Sequence, residues 1–287
     1  MSRTLRARLV PYFLVLPGWL WLAIFFLVPA LTMLSVSTMT GSLSSGFDQT
    51  FHFANYADAW TKYHTVFVRS IVYGLIATVL CLLIAYPVAY WIAFRGGAYK
   101  SSLLFLLLLP FFVSFVIRTQ AWNVLLEDSG PLLSGLHHLG VAKDTHLLQT
   151  SYAVIGGLVY NFLPFTVLPI YVALERVDPA LLEASADLYA SKIAAFVRVV
   201  LPLSLPGVFA AVLLTFVPVA SDYVNASILG GAKNTMVGSG IYTEYVTNGN
   251  YPVAAALSFM LMAVLLVGVT LYARLLGTDD ALEMAAA

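Results

Sequence analysis

The chain has 287 residues, of which 61% are hydrophobic and only 10% are charged. Soluble domains are usually about 45–50% apolar and about 25% charged, so this chain has too few charges to cover a water-exposed surface of its size. The formal net charge is zero, which argues against a nucleic-acid partner. A single cysteine, Cys81, excludes both a disulfide framework and a cysteine-rich zinc site. The composition therefore points to a protein that is solvated mainly by lipid.

Six apolar runs are long enough to cross a bilayer, whose hydrocarbon core of about 30 Å needs about 20 apolar residues per helix. In chain order they cover residues 11–36, 66–94, 101–126, 151–174, 203–229 and 251–276. The first run is longer than the apolar core of a signal peptide, about 7–15 residues, and this predicts an uncleaved first span. The sequence thus predicts an all-α membrane protein with six transmembrane helices.

Lysine and arginine predict which way the bundle faces, because they are enriched on the cytoplasmic side of membrane proteins. Six spans place both termini on one side. With the amino terminus inside, the inner segments hold Arg3, Arg6, Arg8, Arg95, Lys100, Arg176, Lys192, Arg198 and Arg274. The outer segments hold Lys62, Arg69, Lys143 and Lys233. This excess predicts that both termini are cytoplasmic.

The inner segment after the fourth run, residues 175–207, is the most informative polar stretch. Asp178 can cap a helix that has Pro179 at its first position, and Ser191 can cap a second, amphipathic helix. Pro202 and Pro206 are predicted to end the second helix and to begin the fifth span. Such a unit fits a groove on a partner protein or a flat position on the lipid surface, and periodicity leaves both open.

A resemblance to a known family rests on this segment. The residues that carry it are Glu183-Ala184-Ser185, Tyr189-Ala190-Ser191-Lys192, Leu201-Pro202-Leu203 and Pro206-Gly207. They resemble the EAA loop of ABC importer permeases, in which Glu-Ala-Ala is followed after three residues by Gly-Ala-Ser, and later by Leu-Pro-Leu and Pro-Gly. Residues 109–122 and 222–231 are similar to the PotB-type spermidine/putrescine permeases of that family.

The resemblance implies a type I ABC importer permease fold in a bacterial inner membrane. It implies an N-terminal helix and outer segment over residues 1–65, a permease domain over 66–276 with the coupling loop at 175–207, and a cytoplasmic tail over 277–287. It also implies a docking surface for a dimer of ATPase subunits, formed by Glu183, Ala184, Ser185, Asp187, Tyr189, Ala190 and Ser191. ATP and Mg would then be bound by those subunits, and this chain would bind no cofactor.

The remaining implied partners are a second permease chain of different sequence and an extracytoplasmic solute-binding protein. The solute implied first is a polyamine, while related permeases carry thiamine, iron, sulfate or opines. An ion-coupled secondary transporter is the alternative class. An enzyme is not expected, because the histidines lie in outer segments or at a boundary, and residues 230–233 lack the spacing of a phosphate-binding loop.

Tyr189 departs from the family pattern, which has glycine at that position. The glycine permits a left-handed turn, which would strain a tyrosine by roughly 1 kcal/mol or more. Either the turn is built differently in this chain or the strain is tolerated. A milder departure is Ser185, which replaces the second alanine.

Charged residues inside membrane spans are costly, and they are candidates for function. Arg118 lies midway along the third run, and Asp222 lies towards the outer part of the fifth. They could pair with each other, or Asp222 could face the pathway and attract a cationic solute. Aromatic rings and carboxylates suit polyamines, although aromatic residues also mark membrane interfaces. The further candidates for the solute path are Tyr223, Trp122, Tyr160, Glu127 and Glu244.

Overall fold

The computed structural model describes residues 14–138 and 146–275, which are mostly helical. A two-stranded antiparallel sheet joins β1 (Met39–Ser42) to β2 (Gly46–Gln49). The helices in chain order are α1 (Leu14–Ser37), α2 (Ala54–Arg95), α3 (Lys100–Leu108), α4 (Phe115–Leu126), α5 (Pro131–His138), α6 (Ser151–Glu175), α7 (Pro179–Asp187), α8 (Lys192–Ala220), α9 (Val224–Leu229), α10 (Val237–Tyr242) and α11 (Tyr251–Leu275). The predicted tail at 277–287 lies outside the described residues.

Within the described residues, five helices are long and apolar enough to cross a membrane: α1, α2, α6, α8 and α11. A sixth crossing comes from a bent pair, Gly97–Phe112 and Phe115–Gly135, whose two halves meet at 88°. The prediction of six spans is therefore confirmed when the bent pair counts as one crossing. The third apolar run therefore contains two helices that meet at a bend. Pro110 ends the first half in a 3₁₀ turn, and Val113 then takes an extended backbone (φ −94°, ψ 139°).

Two predicted span boundaries also differ from the structure. α2 begins at Ala54, about three turns before the apolar run, because hydropathy marks the membrane-embedded part of a helix and not its full length. α8 runs unbroken through Pro202 and Pro206, which were expected to separate two helices. A π-helical segment, Phe196–Val200, ends two residues before Pro202. Its wider turn relieves the clash between the proline ring and the carbonyl group four residues earlier.

The larger of two compact units contains the described residues of Thr65–Gly240 and those from Ala263 onwards. Its main packing is between α6 and α8. Gly207 permits their close approach, because a Cβ there would lie 2.6 Å from the Pro169 carbonyl oxygen and 2.4 Å from the Ala173 Cβ. The hydroxyl groups of Thr166 and Thr215 lie 2.8 Å apart and link the two helices. Small residues and internal hydrogen bonds thus hold these helices together.

The second compact unit contains the described residues up to His64 together with Ile241–Met262. Asn55, at the start of α2, donates from Nδ2 to the carbonyl oxygens of Ser37 and Met39, at 3.0 and 2.8 Å. These bonds tie the end of α1 and the start of β1 to α2. On β2, the ring of Phe47 lies 5.2 Å from that of Tyr251.

Candidate functional site

The predicted helix starts of the coupling segment are confirmed. Asp178 caps α7 by accepting a hydrogen bond from the Ala180 amide at 2.9 Å, and Pro179 is the first helical residue. Ser191 caps α8 in the same way, by accepting from the Ala194 amide at 3.2 Å. Each cap satisfies an amide group that has no partner within its helix. The segment between α6 and α8 is therefore an ordered helix and turn.

The turn that ends α7 is a Schellman motif. The Tyr189 amide donates to the Ala186 carbonyl at 2.9 Å, and the Ala190 amide donates to the Ser185 carbonyl at 3.0 Å. Tyr189 lies at the left-handed position of the motif, with φ 58°. Of the two accounts left open by the sequence, the structure shows the second: the turn keeps the geometry that suits glycine, and a tyrosine occupies it.

The side chains of this turn point away from the rest of the chain. Tyr189 is 98% exposed and Leu188 is 81% exposed, and Ile193 at the start of α8 is 77% exposed. Four of the predicted docking residues are exposed as well: Glu183, Ala184, Asp187 and Ser191. Ala190 is half-buried, while Ser185 is buried and donates its hydroxyl to the Leu182 carbonyl. The exposed members form a surface that is apolar at the turn and acidic along α7.

Arg118 does not pair with Asp222, so the pairing considered from the sequence is wrong for the described residues. The Arg118 guanidinium instead lies 4.6 Å from the ring centre of Phe111 and 5.7 Å from that of Phe115. Phe111 precedes the 88° bend and Arg118 follows it, so the bend creates this cation–π contact. Arg118 is buried, and its Nε atom has no hydrogen-bond partner.

The rings of Trp122 and Tyr160 meet edge to face, with centroids 5.5 Å apart. Trp122 lies one helical turn after Arg118 on α4, and Tyr160 lies on α6. Tyr160 is 37% exposed, and Glu127, just after α4, is also exposed. The structure therefore joins two of the predicted aromatic residues directly. Glu127 has no such contact with them among the described residues.

Asp222 lies in the break between α8 and α9, not inside a fifth span as expected, because α8 ends at Ala220. Its carboxylate accepts a hydrogen bond from the Asn225 amide at 2.7 Å, near the start of α9. Burial raises its pKa to about 6, although hydrogen bonds from α9 oppose this shift. Tyr223 beside it is 46% exposed. Asp222 thus acts in the structure as a capping group for α9.

A buried polar cluster next to Asp222 was missed by the sequence analysis. The Asn161 side-chain amide donates to Asn225 Oδ1 at 3.0 Å and to Thr119 Oγ1 at 3.2 Å. All three side chains are fully buried. Gly157 allows this approach, because a Cβ there would lie 2.8 Å from Asn225 Oδ1. The available signal was a pair of asparagines within apolar runs, since polar side chains at such positions usually bond across helices.

Glu244 belongs to the second compact unit, in the π-helical segment Thr243–Thr247 that follows α10. It is 1% exposed. Lys62 Nζ lies 2.6 Å from Glu244 Oε1, and the Tyr63 hydroxyl donates to the same oxygen at 2.5 Å. Burial by itself would raise the pKa of Glu244, but hydrogen bonds from Lys62, Tyr63 and Asn248 outweigh burial and leave the pKa below its usual value. The carboxylate is therefore held in its charged form.

Comparisons with known proteins identify the family. Residues 67–276 match the family described as "Binding-protein-dependent transport system inner membrane component". The chain is 38% identical over 256 residues to the spermidine/putrescine transport system permease protein PotB of Haemophilus influenzae, covering 88% of this chain and 90% of that protein. The PotB protein of Escherichia coli K12 is 36% identical over 247 residues, covering 85% and 90%.

Solved structures show the same fold at low sequence identity. A chain of a bacterial ABC transporter involved in the import of the acidic polysaccharide alginate superposes with a TM-score of 0.71 at 18% identity, covering 96% of this chain and 97% of that one. The similarity covers nearly the whole of both chains, and it supports the type I permease fold. The chain therefore belongs to the family of binding-protein-dependent transport system inner membrane components, and it is a permease subunit of an ABC transporter rather than a catalytic one.

Proposed function

We propose that this chain forms half of the membrane pathway of an ATP-driven importer for polyamines such as spermidine and putrescine. The observation that carries the proposal is 36–38% identity to permeases named for spermidine and putrescine transport, over 85–88% of this chain. Thiamine, iron, sulfate and opines are the alternative solutes within the family. An ion-coupled transporter without an ATPase is the competing class.

A dimer of ATPase subunits supplies the energy in this proposal, and it docks on the coupling segment. ATP and Mg are bound there, and this chain binds no cofactor. The support is the exposed surface around α7, where Glu183 and Asp187 stand beside the projecting Leu188 and Tyr189. Exposed aromatic and aliphatic side chains at the tip of a rigid turn are suited to a groove on a partner.

The remaining partners follow from the same proposal. A second permease chain of different sequence completes the pathway, and an extracytoplasmic protein delivers the solute. Both termini face the cytoplasm, which places α7 on the side of the ATPase. Solute passes along polar and aromatic residues, and the candidates in the larger unit are Asp222, Tyr223, Trp122 and Tyr160. Arg118 on α4 and Glu127 just after α4 are the further candidates in this unit.

Reconstitution tests the proposed solute and the energy source together. The permease is purified with its co-expressed partners and placed in proteoliposomes. Uptake of labelled spermidine and putrescine is then measured with ATP supplied on the side of the membrane where the ATPase subunits lie. We expect uptake that needs both ATP and the solute-binding protein. Equal uptake of thiamine or sulfate with no polyamine uptake would change the solute. Uptake driven by an ion gradient without the ATPase would overturn the ABC assignment of function.

A charge reversal tests the docking surface. Glu183→Arg places a cation on the exposed face of α7, and we expect the ATPase subunits to be lost during co-purification. Asp48→Arg changes another exposed carboxylate, on β2, and is the matched control, which should retain them. Retention of the ATPase by Glu183→Arg, with normal coupled uptake, would remove Glu183 from the docking surface.

A further inference from the structure

The contact between Lys62 and Glu244 differs from an ordinary surface ion pair. The side chain of Glu244 is 2% exposed, whereas that of Lys62 is 59% exposed. In the pair between Lys100 and Glu175 both side chains are partly exposed, at 30% and 39%. The Glu244 carboxylate is thus enclosed by protein, and the Lys62 ammonium reaches it from solvent. A buried carboxylate is costly unless charged and hydrogen-bonding groups compensate it.

The groups around Glu244 form a receptor for an alkylammonium ion. Tyr63 donates a hydrogen bond to Oε1 from the protein side, which fixes the carboxylate in place. The Lys62 ammonium lies 5.3 Å from the centre of the Tyr63 ring, so the cation also meets an aromatic face. A buried carboxylate that accepts a hydrogen bond from a tyrosine, with the ring of that tyrosine near the bound cation, is chemistry that suits a primary ammonium on a methylene chain.

Lys62 is itself such a group, because its side chain is a primary ammonium on a flexible four-carbon stem. Putrescine, and the longer arm of spermidine, likewise carry a primary ammonium on a four-carbon chain. We propose that Glu244 and Tyr63 form a binding site for a primary alkylammonium, and that Lys62 fills this site as a tethered substitute which an incoming ammonium displaces. The site is inferred from geometry, and it rests on the proposed function only for the choice of polyamines as its physiological ligand.

Exchange of one ammonium for another avoids the main cost of opening the site. Removing Lys62 alone would leave the buried Glu244 charge without a partner, which is strongly unfavourable. When a second ammonium takes its place, the carboxylate keeps a cation and the Lys62 head group returns to water along its exposed stem. The Lys62 ammonium also lowers the affinity of the site for free amines. Because it is tethered, it competes with them at an effective concentration in the millimolar range or above. The wild-type site therefore holds free amines weakly, as a transfer point in a transport route needs.

Removal of the substitute tests the proposal. Lys62→Met keeps an unbranched stem without the ammonium, and binding of labelled putrescine is measured on the purified complex in nanodiscs without the solute-binding protein. We expect Lys62→Met to bind putrescine at least about tenfold more tightly than the wild type, and n-butylammonium to compete where n-butanol does not. Adding Glu244→Gln should abolish the gain. Lys100→Met, at the ordinary surface pair, should leave binding unchanged.

Every outcome of these binding measurements either supports or overturns the proposed ammonium site. Two results would overturn the proposal: unchanged putrescine binding by a folded Lys62→Met complex, or a gain in putrescine affinity that persists when Glu244→Gln is added. Lys62 would then only stabilise the contact between α2 and the segment after α10. If Lys62→Met is unstable, its thermal unfolding is followed with n-butylammonium or n-butanol added. Restoration of stability by the amine alone supports the site, and no restoration overturns it. n-Butylammonium is not a polyamine, so a failure of polyamine uptake in wild-type proteoliposomes would count against the proposed function and not against the site.

Discussion

Substitution of Tyr189 by glycine should stabilise the isolated permease. Tyr189 has φ 58°, and a residue with a Cβ loses roughly 1–2 kcal/mol in the left-handed region relative to glycine. The ring is 98% exposed, so its removal forfeits almost no buried surface. Glycine makes the unfolded chain more flexible, which offsets about 0.5–1 kcal/mol of the gain. The middle of these two ranges gives a net gain of about 0.75 kcal/mol, or roughly 1 °C in melting temperature for a chain of this length.

The measurement is the thermal unfolding of the purified permease in detergent, with Tyr152→Gly as the control. Tyr152 is 82% exposed but lies in the right-handed helix α6, so glycine there should lower the melting temperature. Tyr189→Asn should fall between the wild type and Tyr189→Gly, because asparagine tolerates the left-handed region. A melting temperature of Tyr189→Gly at or below that of the wild type would refute the strain argument.

The same variant separates stability from docking. If the exposed ring contacts the ATPase, Tyr189→Gly should weaken co-purification of that subunit even though the permease alone is more stable. Tyr189→Phe should retain it, since the ring is kept and only the hydroxyl is lost. Full retention of the ATPase by Tyr189→Gly would show that the strained tyrosine is tolerated without contributing to the contact.

Substitutions at Gly207 and at Asp222 test the packing and the charge of the larger unit. Gly207→Ala places a Cβ 2.6 Å from the Pro169 carbonyl oxygen, a backbone atom that cannot move without shifting the helix, and should lower the free energy of unfolding by about 1–3 kcal/mol in a thermal unfolding experiment. Gly156→Ala is the control, because its Cβ meets nothing within 4 Å and should not destabilise the chain. Burial raises the pKa of Asp222 from 3.8 to about 6, so its contribution to stability is present below pH 4 and is lost as the pH rises through 6. Asp222→Asn keeps a capping oxygen and should remove this pH dependence, while Asp222→Ala should cost about 1 kcal/mol through loss of the cap. A pH profile of Asp222→Asn that matches the wild type would assign the dependence to another group.

Features that depend on local sequence could be predicted well. Six apolar runs revealed the crossings because the thickness of a bilayer imposes a minimum length on each span. Asp178 and Ser191 revealed two helix starts, since a short polar side chain before a helical run satisfies its free amide groups. The glycine position of the family pattern revealed a left-handed turn, and Tyr189 adopts it. In each case the cause lies within a few residues of its effect.

Features that depend on distant contacts could not be predicted. The aromatic partners of Arg118 depend on the 88° bend, which brings a ring from before the break over the guanidinium. The bonds from Asn161 to Thr119 and Asn225 join three helices, so no spacing along the chain reveals them. Hydropathy also missed the early start of α2, because the residues before the apolar run continue the helix without being apolar. Sequence identified these residues by type, but the partners follow from packing.

The buried charges of the described residues share one structural setting. Three charged side chains are buried: Arg118, Asp222 and Glu244. Arg118 lies just after the break at 113–114, Asp222 lies in the break between α8 and α9, and Glu244 lies in a π-helical segment. Transporters commonly place their ion and solute sites at interruptions of their helices. The buried contact between Thr166 and Thr215, which joins two regular helices, is by contrast uncharged. The buried charges of the described residues thus lie in or next to interruptions of the helices. A solute cation that is attracted to Asp222 or to Glu244 would therefore bind at an irregular part of the backbone and not along a regular helix.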